Sequence, residues 1–132
     1  MTKSDIRDPD VERQLPLAPA MFHILIALGE GEKHGYAVMQ EVAGRTDGKV
    51  RMSPGTLYGS IRKMLDEGLI EEFFHRGQRG GARGDVPRMR DDERRRYYRV
   101  TKFGRAVAAA EAERLTALLH HARLNGLVPR KS

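Results

Sequence analysis

Between Leu15 or Leu17 and Leu28, the apolar residues Ala20, Met21, Ile24, Leu25 and Leu28 recur at three- and four-residue steps, the spacing of one helical face. Gly29 and Gly31 mark its end. A second helix opens at His34-Gly35-Tyr36, carries Val38, Met39 and Val42 on one side, and finds a stop at Gly44. After the turn-rich "TDGKVRM", Ser53-Pro54 announces a third: serine caps the free amides, and proline in the first turn forfeits no hydrogen bond. Leu57, Ile61, Met64 and Leu65 form its buried stripe, and Gly68 supplies the left-handed residue that closes it. Ile70–His75 and Arg95–Val100 are rich in aromatic and branched residues and read as two strands of a hairpin. Thr101 caps a last helix, Lys102 to about Leu124, with apolar stripes on two sides, and Asn125-Gly126 ends it. Residues 1–14, aperiodic and interrupted by Pro9, read as a flexible lead-in, partly helical near the domain, and 126–132 as a tail.

The pattern therefore predicts a mainly α chain with one small β-hairpin. Length and charge sharpen this picture. At 132 residues, 39% apolar and 32% charged, one domain with a helical arm is expected. The absence of cysteine removes disulfides, thiolate metal sites and a cysteine nucleophile. The polar N-terminus and the lack of a long apolar run predict a cytoplasmic protein that does not enter membranes. The net charge is +6, and it is concentrated: nine arginines against four acids stand between His75 and Arg99. Such a surplus favours a polyanionic partner.

Three helices followed by a hairpin is the layout of a winged helix-turn-helix, in which the third helix enters the major groove of DNA and the wing follows the backbone. Off the buried stripe, the third helix offers Gly55, Thr56, Tyr58, Gly59, Ser60, Arg62 and Lys63. Small residues admit a close approach, hydroxyls suit base edges or phosphates, and the cations suit phosphates. The same residues would also serve as a cap, packing space and a solvated face; the hairpin and its charge tip the balance.

Three motifs carry a further resemblance. "HGYAVMQEV", "SPGTLYGSIRKMLDEGLIE" and "RRRYYRVTKFGRA" resemble, in order and spacing, the His-Gly-Tyr helix opening, the Gly-Thr-Leu-Tyr recognition helix and the Tyr-x-x-Thr-x-x-Gly second wing strand of PadR-family transcriptional regulators, over about Leu17 to Ala108. The resemblance implies a homodimer that binds a palindromic operator in double-stranded DNA, usually as a repressor. Carried over, it implies DNA contacts at Ser53, Thr56, Tyr58, Ser60, Arg62 and Lys63, and at His34, Gly35 and Tyr36, where a helix N-terminus suits a phosphate. Arg76, Arg79, Arg83, Arg94, Arg95 and Arg96 belong to the wing, whose Arg/Gly loop (76–94) is longer than the family's usual tip. Residues 15–100 then form the DNA-binding domain and 101–125 a dimerisation helix, with Phe103, Val107, Ala108, Ala112, Leu115, Leu118, Leu119 and Ala122 as its contact residues. The short C-terminal region implies no separate effector domain; a small-molecule effector would sit between subunits, and no cofactor is expected.

Two rival classes fit the chain less well. Arginine interspersed with glycine also suits single-stranded RNA, but such a binder has no need of a capped helix-turn-helix. An enzyme lacks a visible home for its chemistry: the five histidines (His23, His34, His75, His120, His121) make no metal-ligand spacing, so no metal site is expected, and no phosphate-loop or nucleophile-elbow motif occurs.

Overall fold

A computed structural model describes residues 8–74 and 96–128. Among these residues the helices are α1 (Pro9–Glu12), α2 (Pro19–Gly29), α3 (Gly35–Arg45), α4 (Pro54–Asp66) and α5 (Lys102–Leu124), and the strands are β1 (Lys33–His34), β2 (Ile70–Phe74) and β3 (Arg96–Val100). Where the sequence pattern gave two strands, the sheet has three, all antiparallel, in the order β1-β3-β2. Ile70 faces Val100 and Phe74 faces Arg96 across the hairpin, while His34 faces Tyr97 on the other side.

Helix α2 runs through the centre of the core. Ile24 and Leu28 are fully buried in one cluster with Val38, Val42, Leu57, Ile61, Met64, Leu69, Tyr98 and Val107. Burying one such side chain contributes about 1.5–3 kcal/mol. Leu17 is buried as expected but precedes the helix, because Pro19 sits in the first turn and the chain before it stays extended. Gly44 does not stop α3, which continues to Arg45; the reversal falls instead on Asp47 and Gly48, both at positive φ. Gly68, at φ +79°, closes α4 as predicted: its N–H donates to the Leu65 carbonyl and that of Leu69 to the Met64 carbonyl, which satisfies two of the orphaned acceptors at the helix end.

At the ends of the chain, part of the lead-in is helical, as read from the sequence, and the expectation for Val107 in α5 needs correction. The lead-in is helical from Pro9 to Glu12, with Val11 buried, and it packs against α5. The first turns of α5 belong to the chain's own core: Val107 is fully buried there, and Phe103 and Ala108 pack against it. Val107 is thereby withdrawn from any partner, while Phe103 and Ala108 keep part of their surface exposed. An alanine-rich helix with apolar residues on two sides does not itself say which side faces inward. Arg76, Arg79, Arg83, Arg94 and Arg95 lie outside the described residues.

Candidate nucleic-acid interface

The first turn of α4 is exposed from Ser53 to Thr56. Ser53 Oγ accepts the Thr56 N–H at 3.1 Å and is 3.2 Å from Thr56 Oγ1. The serine is thus committed to the cap it was expected to form, and Thr56 stands beside it on the open face. Gly59 is exposed, with nothing within 4 Å of where a side chain would begin. Ser60 is half-buried, and Arg62 and Lys63 are exposed on the following turn.

Tyr58 joins two of the sequence motifs. A Cβ placed on Gly35 would stand 2.5 Å from its hydroxyl oxygen and 2.9 Å from Cζ. Only glycine therefore lets the ring lie against the start of α3, and the ring anchors α4 on α3. Next to it, His34 Nδ1 accepts the Ala37 N–H at 3.2 Å, capping α3; as the acceptor, Nδ1 leaves the proton of a neutral ring on Nε2. The His34 ring meets Tyr97 edge-on at 5.5 Å, and Tyr97 lies 6.2 Å from Phe73. His34 thus links the helix-turn-helix to the wing. Tyr36 is half-buried in the first turn of α3.

Ion pairing separates the described cations into two groups, and Lys102, Arg105 and Arg123 on α5 belong to the unpaired one. Arg13, Lys33, Arg45, Arg96, Arg99 and Arg114 each face a carboxylate. In the wing, Arg99 Nε reaches Glu71 at 2.8 Å and lies over the Phe73 ring, while Arg96 Nε stands 3.6 Å from Glu72 and its guanidinium lies over Phe74. Arg96, expected to meet DNA, is therefore partly neutralised within the hairpin. By contrast Lys49, Arg51, Arg62 and Lys63 carry no ion pair among the described residues. In sequence, Lys49 and Arg51 precede the uncharged first turn of α4, and Arg62 and Lys63 follow it within the helix. Lys49 and Arg51, two cations just ahead of the Ser53-Pro54 cap, are not among the contacts that the motifs imply.

Beyond its buried start, α5 leaves the core and exposes Leu115, Leu118, Leu119 and Leu124, followed by Leu127. The transition falls at Glu111, a carboxylate 2% exposed. Arg114 grips both its oxygens, at 2.8 and 2.7 Å, and the Leu17 N–H lies 3.4 Å from Oε1. The Arg114 hydrogen bonds hold this carboxyl below the usual glutamate range; burial opposes them, and the Leu17 N–H adds to the lowering. Among the described residues no group of three His, Asp or Glu is placed to hold a metal, and no helix is long and apolar enough to cross a membrane.

Comparison with known proteins agrees with this geometry. The family model described as "Transcriptional regulator PadR-like family" matches residues 24–110. An uncharacterised protein of Lysinibacillus sphaericus is 30% identical over 83 residues, 63% of this chain and 65% of its own length. The transcriptional regulator Rv3488 of Mycobacterium tuberculosis is 29% identical over 106 residues, 80% of this chain and 84% of its own. Among solved structures, a PadR family transcription regulator from Clostridium difficile R20291 shares the fold with a TM-score of 0.65 at 19% identity, covering 81% of this chain and 97% of that one. With the motifs, the three-stranded winged fold and the family match in agreement, the chain belongs to the PadR-like family of transcriptional regulators, DNA-binding proteins and not enzymes.

Proposed function

We propose that the protein is a cytoplasmic homodimeric repressor that reads a palindromic operator with α4 and follows the flanking backbone with its arginine-rich wing. The observation that carries the reading is the contrast between neutralised and unpaired cations. Six basic side chains are held by carboxylates, whereas Lys49, Arg51, Arg62 and Lys63, like Lys102, Arg105 and Arg123 on α5, carry no ion pair among the described residues, and the first four stand in sequence before and after an exposed turn of small and hydroxylic residues. Desolvating an unpaired surface cation against a phosphate releases counterions and breaks no internal ion pair. Thr56, Ser60 and the backbone at Gly55 and Gly59 face the base edges, and His34, Gly35 and Tyr36 lie beside a phosphate at the start of α3. Ser53 acts chiefly as the cap, and Tyr58 by fixing the angle of α4 on α3.

Residues 15–100 form the DNA-reading unit and 101–125 the dimerisation helix. Ala112, Leu115, Leu118, Leu119 and Ala122 make the contact between subunits. Two-fold symmetry in the protein demands two-fold symmetry in the operator. A small-molecule effector, where there is one, acts between the subunits by changing their separation.

The test is a fluorescence-anisotropy titration against the protein's own promoter region and a scrambled duplex, at roughly 50 and 200 mM salt. A promoter preference that persists at the higher salt, in a species that sediments as a dimer, supports the reading. Equal, salt-erased binding to both duplexes would overturn it, and single-stranded RNA would then be the next ligand to titrate.

A further inference from the structure

We propose that Glu111 is a positioning residue that fixes the distance between the two DNA half-sites, and so determines operator spacing without touching DNA. The inference rests on the homodimeric reading above. Glu111 is the last buried residue along α5 and the one buried charged side chain among the described residues. Of the residues from Ala112 to Leu124, only Arg114 and Ala122 are even partly covered. The helix therefore stops being held by its own domain at this carboxylate.

An apolar residue would fill the same space, and replacing buried ion pairs by well-packed apolar groups is often neutral or stabilising. What a carboxylate adds is direction. Oε1 faces the Leu17 N–H of the domain, and the fork of Arg114, an i,i+3 neighbour on the same helix, takes both oxygens and holds the carboxylate toward that amide. Leu17 is itself buried at the entrance to α2, and Val11 in the preceding helix packs into the core where α1 meets α5. The segment from Val11 to Leu17 thus braces the arm at its point of departure. On the other side Gln14 Nε2 donates to Glu67, the residue capping the end of α4, at 2.9 Å.

The lever is long enough to matter. The exposed arm, Ala112 to Leu124, spans about 20 Å at about 1.5 Å per residue. A tilt of about 10° at Glu111 would move its far end by about 3.5 Å, close to the rise of about one base pair. A two-fold axis applies the displacement to both subunits.

Selection of binding sites from a randomised duplex pool tests this, using the full chain and the variants Glu111→Gln and Arg114→Met. The first keeps an acceptor for Leu17 but loses the bidentate grip; the second removes the fork from the other side and remains informative if the first fails to fold. The wild type is expected to select one dominant half-site spacing. The variants, checked as folded dimers by circular dichroism and sedimentation, are expected to select the same half-site with a spacing shifted by one base pair or more, or spread over several. Folded, dimeric variants that select the wild-type spacing with wild-type sharpness would overturn the role of Glu111. A wild type that selects no two-fold site would overturn the homodimeric reading, and this inference with it.

Discussion

Replacing Gly104 by alanine sets two effects of opposite sign against each other. Gly104 lies in the first turn of α5, where alanine is intrinsically the better helix former by about 1 kcal/mol. Its missing side chain, however, faces the backbone carbonyl of Leu69, with Val100 Cγ1 3.0 Å from where a Cβ would stand. That carbonyl cannot swing away as a side-chain tip could. It accepts the Thr101 N–H at 3.1 Å, and the Thr101 hydroxyl reaches Gly68 O at 2.6 Å and Leu69 O at 3.1 Å while accepting the Gly104 N–H at 2.9 Å. To admit a methyl group, α5 must retreat by about 1 Å, the difference between this approach and an ordinary carbon–oxygen contact. The retreat weakens two Thr101 hydrogen bonds, each contributing about 1 kcal/mol, and loosens Val107 in the core, for a loss of about 3–4 kcal/mol in all. Subtracting the gain in helix propensity leaves Gly104→Ala destabilised by about 2–3 kcal/mol. Urea unfolding followed by far-UV circular dichroism, at fixed protomer concentration, should show the midpoint falling by about 1 M or more. A midpoint equal to or above the wild type would refute the claim that close approach, and not chance, places glycine there.

Gly59→Ala makes the opposite comparison: nothing stands within 4 Å of its Cβ position, so stability should rise by about 0.5–1 kcal/mol, while operator affinity falls at least about tenfold because the added methyl meets DNA. Parallel unfolding and anisotropy titrations check both signs. Glu111 is held below the ordinary glutamate range, so its contribution is complete above that range and is lost as pH falls through the lowered value, where the folded state must take up a proton that the unfolded chain has already bound. Stability measured between about pH 6 and pH 3 should therefore fall less steeply in Glu111→Gln than in the wild type. Arg51→Ala should weaken binding to all duplexes alike and reduce the log–log salt slope by about 0.9; an unchanged slope would remove the connector from the interface.

What was legible in the sequence is what short-range chemistry decides. Ser53-Pro54 and Gly68 act within four residues or so of themselves, as does Thr101 in capping the Gly104 N–H, and each sits where the pattern placed it. The recognition-helix stripe was legible for the same reason, since Leu57, Ile61 and Met64 repeat on one face. Strand β1 was not, because two residues hold no period and their pairing is decided by Tyr97 and Tyr98 far along the chain. Nor could the sequence divide the arginines into paired and unpaired, since Glu71 and Glu72 meet Arg99 and Arg96 only across the hairpin. Within "AEAER" Glu111 is one charge among three, and the amide it faces lies 94 residues earlier. Gly35 looked like part of a helix opening; that it makes room for Tyr58 is visible only once α3 and α4 cross.

The contact between Leu17 and Glu111 also bears on how the chain comes to be folded. The first buried residues, Val11 and Leu17, are completed by α5, whose Val107 and Ala110 belong to the same core. On a ribosome, α2, α3 and α4 emerge early but must wait for nearly the whole chain before that core can close, and contacts of such long sequence separation form slowly. The boundary near residue 100 therefore divides tasks without dividing the protein into parts that fold separately. A chain ending at Val100 would leave Ile24, Leu28 and Leu69 without their cover and should be taken by proteases or aggregate before it met DNA. Synthesis thus releases a DNA reader only together with the helix proposed to pair it.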